Sequence, residues 1–327
     1  MSRENNDPYR RGALPHTAQA VESASGDAGV EMSIFDCQAH WSTEIGYVFQ
    51  DEEEKARQQR IWGTTAQVES EEEMVAAFRR NRVRAVMSLG FTIWMNDIGK
   101  IRQLHDYVFA AGRRYPDAIF GHWLSFNPAL RRDALREFRR ALDADAGFVG
   151  LAVIGQQPAR VPASDERWDP FYRLSIEAGV PVLIYTGLTG VGQDHPGGKG
   201  IVLDDGHPRH IDIVAARYPS LKILAARPAY PWQDEMIAVM RHKSNVHCEL
   251  HGWSPRAFTP ALKKEIGGRL QDRFMFGSDY PVLKHEMLAD RWRSLGLAEP
   301  VLEKVFHRNA EAYFPGAKNI PASEDLT

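Results

Sequence analysis

Cysteine is nearly absent from this 327-residue chain: Cys37 and Cys248 are the only two, far apart and outside any Cys-x-x-Cys. That excludes a disulfide framework and a thiolate zinc site. No sign of charge dominates, because 40 Lys and Arg stand against 43 Asp and Glu for a formal net charge of −3. The electrostatic motive for holding nucleic acid is therefore missing. Long apolar runs are missing too. No stretch approaches the roughly 20 residues a membrane helix needs, and no hydrophobic signal region follows the first basic residue. The expectation is a soluble, cytoplasmic protein with neither nucleic-acid nor membrane partners.

Several catalytic signatures are absent as well. The Gly-rich stretch from Gly187 to Gly200 has neither GxxxxGK[ST] nor GxGxxG spacing, and reads as a βα loop rather than a phosphate cradle. Gly277-Ser278-Asp279 is not G-x-S-x-G, which argues against Ser278 as a hydrolase nucleophile, and there is no H-E-x-x-H.

What is present is alternation. Residues 1–33 contain no Ile, Phe or Trp and read as a flexible extension. From Ile34 onward, short β-rich runs alternate with longer amphipathic stretches. Strands are predicted at Ser33–Gln38, Val83–Leu89, Ile119–Phe126, Gly147–Ile154, Val180–Tyr185, Leu221–Ala226, Asn245–Leu250 and Arg273–Phe276. The helix over Arg131–Asp143 carries Leu135, Phe138 and Leu142 as its expected buried face. Eight strands without an early dinucleotide turn predict an α/β fold, a (β/α)8 barrel over residues 34–316, with 317–327 as a C-terminal tail.

Barrel chemistry belongs to the C-terminal ends of the strands. Those ends read Asp36-Cys-Gln-Ala-His-Trp41, His122-Trp-Leu-Ser-Phe-Asn127, Tyr185, Arg227-Pro-Ala-Tyr-Pro-Trp232, Glu249-Leu-His-Gly-Trp253 and Gly277-Ser-Asp-Tyr-Pro281. Strand alternation points Cys37 toward the helices as a small hydrophobe. Trp41, Trp94, Trp123, Trp232 and Trp253 read as core that seals the top of the barrel.

The segments Phe35–Trp41, Pro181–Gly187, Ala216–Trp232, Gly252–Pro255, Phe276–Pro281 and Asn309–Phe314 together resemble the amidohydrolase-related (amidohydrolase 2) family, the group around aminocarboxymuconate-semialdehyde decarboxylase and resorcylate-type decarboxylases. The resemblance implies a metal-dependent hydrolase barrel. It also implies a divalent ion (Zn, Mn or Fe) held by a His-x-His pair on strand one, a His after strand five, often a His after strand six, and an Asp after strand eight. Here those positions hold Gln38, His40, Tyr185, Arg227 and Asp279. Two remain as ligands, His40 and Asp279, with His122, Glu249 or His251 as candidates to complete a mononuclear site. Arg227, a fixed cation, stands where it could replace the ion's charge beside Asp279.

Two functions follow. One is a metal-poor partner subunit that pairs with a metal-complete barrel paralogue, an arrangement the resemblance associates with some amidohydrolase-fold oxygenases. The other is an enzyme with a remodelled site, a carboxy-lyase or hydrolase acting on a small carboxylate, aromatic or not. In that version Arg227, Tyr185, His251 and Trp253 bind substrate, while His40, Asp279 and Arg227 carry the chemistry. A binding protein without turnover is the third possibility. A homo- or hetero-oligomer is expected.

Overall fold

A computed structural model describes residues 33–47 and 51–317. Apart from Ser33 and Ala317, the expected extension and tail fall outside the described residues. The strands are β1 (Ile34–His40), β2 (Val83–Ser88), β3 (Ile119–Leu124), β4 (Phe148–Val153), β5 (Val182–Tyr185), β6 (Ile223–Ala226), β7 (Val246–Glu249) and β8 (Phe274–Met275). They form one parallel sheet in sequential order. Hydrogen bonds from Cys37 N to Phe276 O (3.0 Å) and from His40 N to Tyr280 O (2.7 Å) bring β1 back to the chain leaving β8. The predicted barrel is therefore the observed one.

The helices are α1 (Glu52–Trp62), α2 (Glu71–Arg80), α3 (Ile98–Arg114), α4 (Arg131–Leu142), α5 (Asp169–Ala178), α6 (Arg209–Arg217), α7 (Gln233–His242), α8 (Pro260–Ile266), α9 (His285–Arg293), α10 (Glu299–Glu303) and α11 (Asn309–Tyr313). Sequence reasoning passed over α1 because its residues are almost all polar. It forms nonetheless, with the Asp51 carboxylate accepting from Glu54 N and Gly63 ending it at φ 69°. In α4 the buried face is centred on Ala134, Phe138 and Ala141, with Glu137 inside it, whereas Leu135 and Leu142 sit at the edge.

The core has two layers. Inside the barrel, Phe35, Cys37, Val86, Phe120, Trp123, Phe148, Leu183 and Leu224 pack against one another. Between barrel and helices lies the larger layer, which includes Trp41, Phe78, Phe126, Phe138 and Trp168. Cys37 is thus an interior residue, contrary to the expectation that it faces the helices. The reason is a bulge. Asp36 aligns with Ala85 and Ala39 with Met87, so β1 spends three steps where β2 spends two. The extra residue shifts the alternation, and Gln38 and His40 join Phe35 and Cys37 on the inner side. Among the described residues no helix is long and apolar enough to cross a membrane.

Candidate active site at the barrel mouth

Seven polar side chains converge at the C-terminal end of the barrel. They come from β1 (Gln38, His40), β5 (Tyr185), the turn after β6 (Arg227), β7 and the turn after it (Glu249, His251), and the turn after β8 (Asp279). Two of the turn residues, Arg227 (φ 78°) and Asp279 (φ 68°), have left-handed backbones, a conformation that costs a non-glycine residue energy and that clusters at functional sites.

The network can be followed bond by bond. Glu249 Oε1 lies 2.5 Å from His251 Nδ1, and Glu249 Oε2 accepts from His251 N at 2.9 Å. On the other side of the ring, Arg227 Nε donates to His251 Nε2 at 3.0 Å. Because guanidinium nitrogens only donate, His251 must accept through Nε2 and carry its proton on Nδ1, where Glu249 receives it. The imidazole is therefore neutral with a fixed tautomer. A second guanidinium nitrogen, Nη1, donates to Leu188 O at 3.0 Å, and the Arg227 Cζ lies 5.4 Å from the Tyr185 ring centroid. Both hydrogen-bond acceptors of Arg227 are uncharged, so its positive charge meets no carboxylate directly.

Asp279 is close by. A Cβ on Gly252 would sit 3.0 Å from Asp279 Oδ2 and 3.9 Å from Arg227 Nε, which fixes that gap as one only glycine leaves open. Asp279 Oδ1 pairs with His40 Nε2 at 3.0 Å, with the two side chains 18% and 22% exposed. Burial by itself would raise the Asp279 pKa. The His40 hydrogen bond and the positive charge around it, Arg227 included, outweigh burial and hold the carboxyl well below its ordinary range. Gln38 Nε2 donates to the Tyr185 hydroxyl at 2.6 Å and leaves Gln38 Oε1 buried with no partner among the described residues. Burial pushes the Tyr185 phenol up, so it stays protonated.

The other candidates divide. Glu249 and His251 belong to the mouth, though as the brace that orients Arg227. Trp253, in the turn after β7, packs tilted by 38° against Tyr230 with ring centroids 5.0 Å apart. His122 does not join the mouth. It faces α3, where a Cβ on Gly112 would come within 2.8 Å of its ring, and it stacks parallel to Trp41 at 6.1 Å. Trp41 and Trp123 are core, as expected. Asp36, beside the site in sequence, points outward to Ser278 and His285. Sequence reasoning missed Tyr47, whose phenol accepts from Gln58 of α1 and is pushed up by burial and then by the Asp279 carboxylate. It also missed α1 as a cover. Arg57 donates to Gly190 O and Gln193 O, and Arg60 pairs with Asp194, so α1 is tied to the Gly-rich loop after β5. Nothing in the local sequence of either segment signals that meeting.

Does this donor set fit a divalent ion? Such an ion takes about four to six nitrogen and oxygen ligands. Here His40 and Asp279 pair with each other, His251 Nε2 is occupied by Arg227, the Gln38 amide and Tyr185 phenol bond to each other, and Arg227 cannot coordinate. Among the described residues no group of three or more His, Cys, Asp or Glu side chains is arranged to hold an ion. His122, Glu249 and His251 do not complete the set. The residues present do not fit the metal.

The Amidohydrolase family profile matches residues 35–316. A comparison with curated protein sequences gives no match. Among solved structures, an uncharacterized TIM-barrel protein of Bordetella bronchiseptica is 21% identical at TM-score 0.68, covering 86% of this chain and 98% of that one. A 2,6-dihydroxybenzoate decarboxylase from Rhizobium is 16% identical at TM-score 0.65, covering 86% and 98%. A 5-carboxyvanillate decarboxylase from Novosphingobium aromaticivorans, complexed with manganese and 4-hydroxy-3-methoxy-5-nitrobenzoic acid, is 19% identical at TM-score 0.61, covering 86% and 96%.

Proposed function

The chain belongs to the amidohydrolase family, and from that premise we propose that it is a cytoplasmic carboxy-lyase whose barrel domain, residues 34–316, takes a small aromatic carboxylate at its mouth. One observation carries the reading: among the described residues Arg227 is a braced cation whose hydrogen bonds go only to uncharged acceptors, beside a His40–Asp279 pair that remains partly exposed. A substrate carboxylate supplies the direct anionic acceptor that the neighbouring Asp279 does not, through a charge-assisted hydrogen bond. Tyr185 and the tilted Trp253–Tyr230 pair supply aromatic surface for the ring, and His251 keeps Arg227 in place. The solved decarboxylases named above share the barrel and support the substrate class only as likeness of fold.

In this reading the bond between the ring carbon and its carboxylate breaks, carbon dioxide leaves, and the electron pair stays on the carbon. His40 delivers a proton there and recovers one from water on its exposed side, while Asp279 holds the imidazole in position. The test is calorimetric titration of benzoate and 2,6-dihydroxybenzoate into wild type and Arg227→Met, with carbon dioxide release followed in parallel. Loss of a charged hydrogen bond of about 1.5–3 kcal/mol predicts roughly 10- to 150-fold weaker binding in the variant. Equal affinity in the two proteins, or binding without carbon dioxide release, overturns the proposal in its binding or its catalytic half respectively.

A second reading, a partner subunit for a metal-complete barrel paralogue, rests on Gln38, Tyr185 and Arg227 standing where the family resemblance implies metal ligands. It stands or falls on co-purification with such a paralogue.

A further inference from the structure

Resting on that reading of Arg227 as the carboxylate anchor, we infer that the barrel mouth carries its positive charge in the Arg227 guanidinium in place of a divalent ion, and that it binds carboxylates without metal.

Three features support this. The first is occupancy of donors. A histidine gives an ion one ring lone pair, and in His251 that lone pair, on Nε2, accepts the Arg227 Nε–H at 3.0 Å while Nδ1 is committed to Glu249. His40 Nε2 is spent on Asp279 Oδ1, and the Tyr185 hydroxyl accepts from Gln38. Among the described residues of the mouth network this leaves Gln38 Oε1, one Asp279 oxygen and His40 Nδ1 uncommitted, three donors where an ion takes about four to six ligands. The second is charge. Arg227 is a fixed cation beside Asp279, so a divalent ion entering next to that carboxylate meets its repulsion. The third is anchorage. Arg227 is held by His251, by Leu188 O, by its position over Tyr185 and by its own backbone bond from N to Glu249 O, so it does not simply swing aside for an ion. The same bonds leave the rest of the guanidinium to face a ligand.

The experiment uses the full chain, stripped with a chelator and then titrated with MnCl2 alone, reading the paramagnetic resonance signal of free hexaaqua manganese. We expect that signal to rise in proportion from the first addition. A deficit equal to one ion per chain that disappears in the His40→Ala/Asp279→Ala double variant overturns the inference; a deficit that persists in the double variant lies outside the mouth and leaves it standing. Benzoate is then titrated in EDTA and in MnCl2. Affinities within twofold support the inference, and a gain above tenfold with manganese overturns it. If benzoate binds in neither buffer, the carboxylate reading of the site falls, while the manganese titration still decides the question of the ion.

Discussion

Arg227 and Gly252 show how much of the site is decided by single backbone positions. Arg227 leaves β6 in a left-handed conformation, which turns its side chain back over the barrel mouth toward His251. Gly252, also left-handed at φ 74°, lies beside Arg227 and Asp279, where a Cβ would come 3.0 Å from Asp279 Oδ2 and 3.9 Å from Arg227 Nε. A methyl group there carries the left-handed penalty of about 1–2 kcal/mol and pushes on the Asp279 carboxylate. Gly252→Ala should therefore lower the melting temperature by a few degrees and weaken benzoate binding together, measured by thermal unfolding and calorimetry. A stability loss with unchanged affinity would mean that the Arg227–Asp279 spacing does not matter to the ligand.

At the scale of elements, the joint between β1 and the chain leaving β8 sets the height of Asp279 in the mouth. Asp36 organises it. Its Oδ1 accepts from Gln38 N (3.1 Å) and Ser278 N (3.0 Å), and its Oδ2 from Ser278 Oγ (2.5 Å) and His285 Nε2 (2.8 Å). All of these groups are buried. Although Asp, Ser and His meet here, the serine bonds to the carboxylate and not to the imidazole, so the trio is a clasp and not a nucleophile relay. Asp36→Ala strands several buried donors at about 1–3 kcal/mol each, part of which local relaxation recovers. The expected result is a loss of roughly 3–5 kcal/mol in denaturant unfolding, and a cost within 1 kcal/mol would show that the clasp is dispensable.

For the whole molecule, buried histidines set the response to acid. Burial, and then the charge of His105, pushes His122 down to about 3; burial, and then Arg273 and Lys222, pushes His247 down to about 4. Each folded-state pKa is below the ordinary value near 6.5, so the unfolded chain binds more protons and stability falls as pH drops from about 6.5 toward those values. Glu137 acts in the same direction. Burial would raise it, but hydrogen bonds from His105, Arg140 and Arg102 outweigh burial and bring it to about 2, so acid removes its contribution as well. Urea unfolding at pH 7.5, 5.5 and 4.5 should show a steadily falling midpoint. His122→Phe, which keeps the ring stack on Trp41 and drops the titrating group, should flatten part of that slope; an unchanged slope would assign acid sensitivity to other groups.

The eight-strand barrel was legible in the sequence because strand and helix periodicity are local, and a parallel sheet with crossover helices has few ways to close. His40, Tyr185, Arg227, His251 and Asp279 were legible as mouth residues for a related reason, since each stands at a strand end. The direction of Cys37, the rotation of α4 that buries Glu137, the separation of His122 from the mouth, and the cover formed by α1 were decided only by tertiary structure. A one-residue bulge reverses the facing of every side chain after it, and no composition rule locates it. The same holds for the hydrogen bond that spends the His251 lone pair on Arg227. It joins residues at the ends of two neighbouring strands, and the register of β6 against β7 brings Arg227 Nε within 3.0 Å of His251 Nε2.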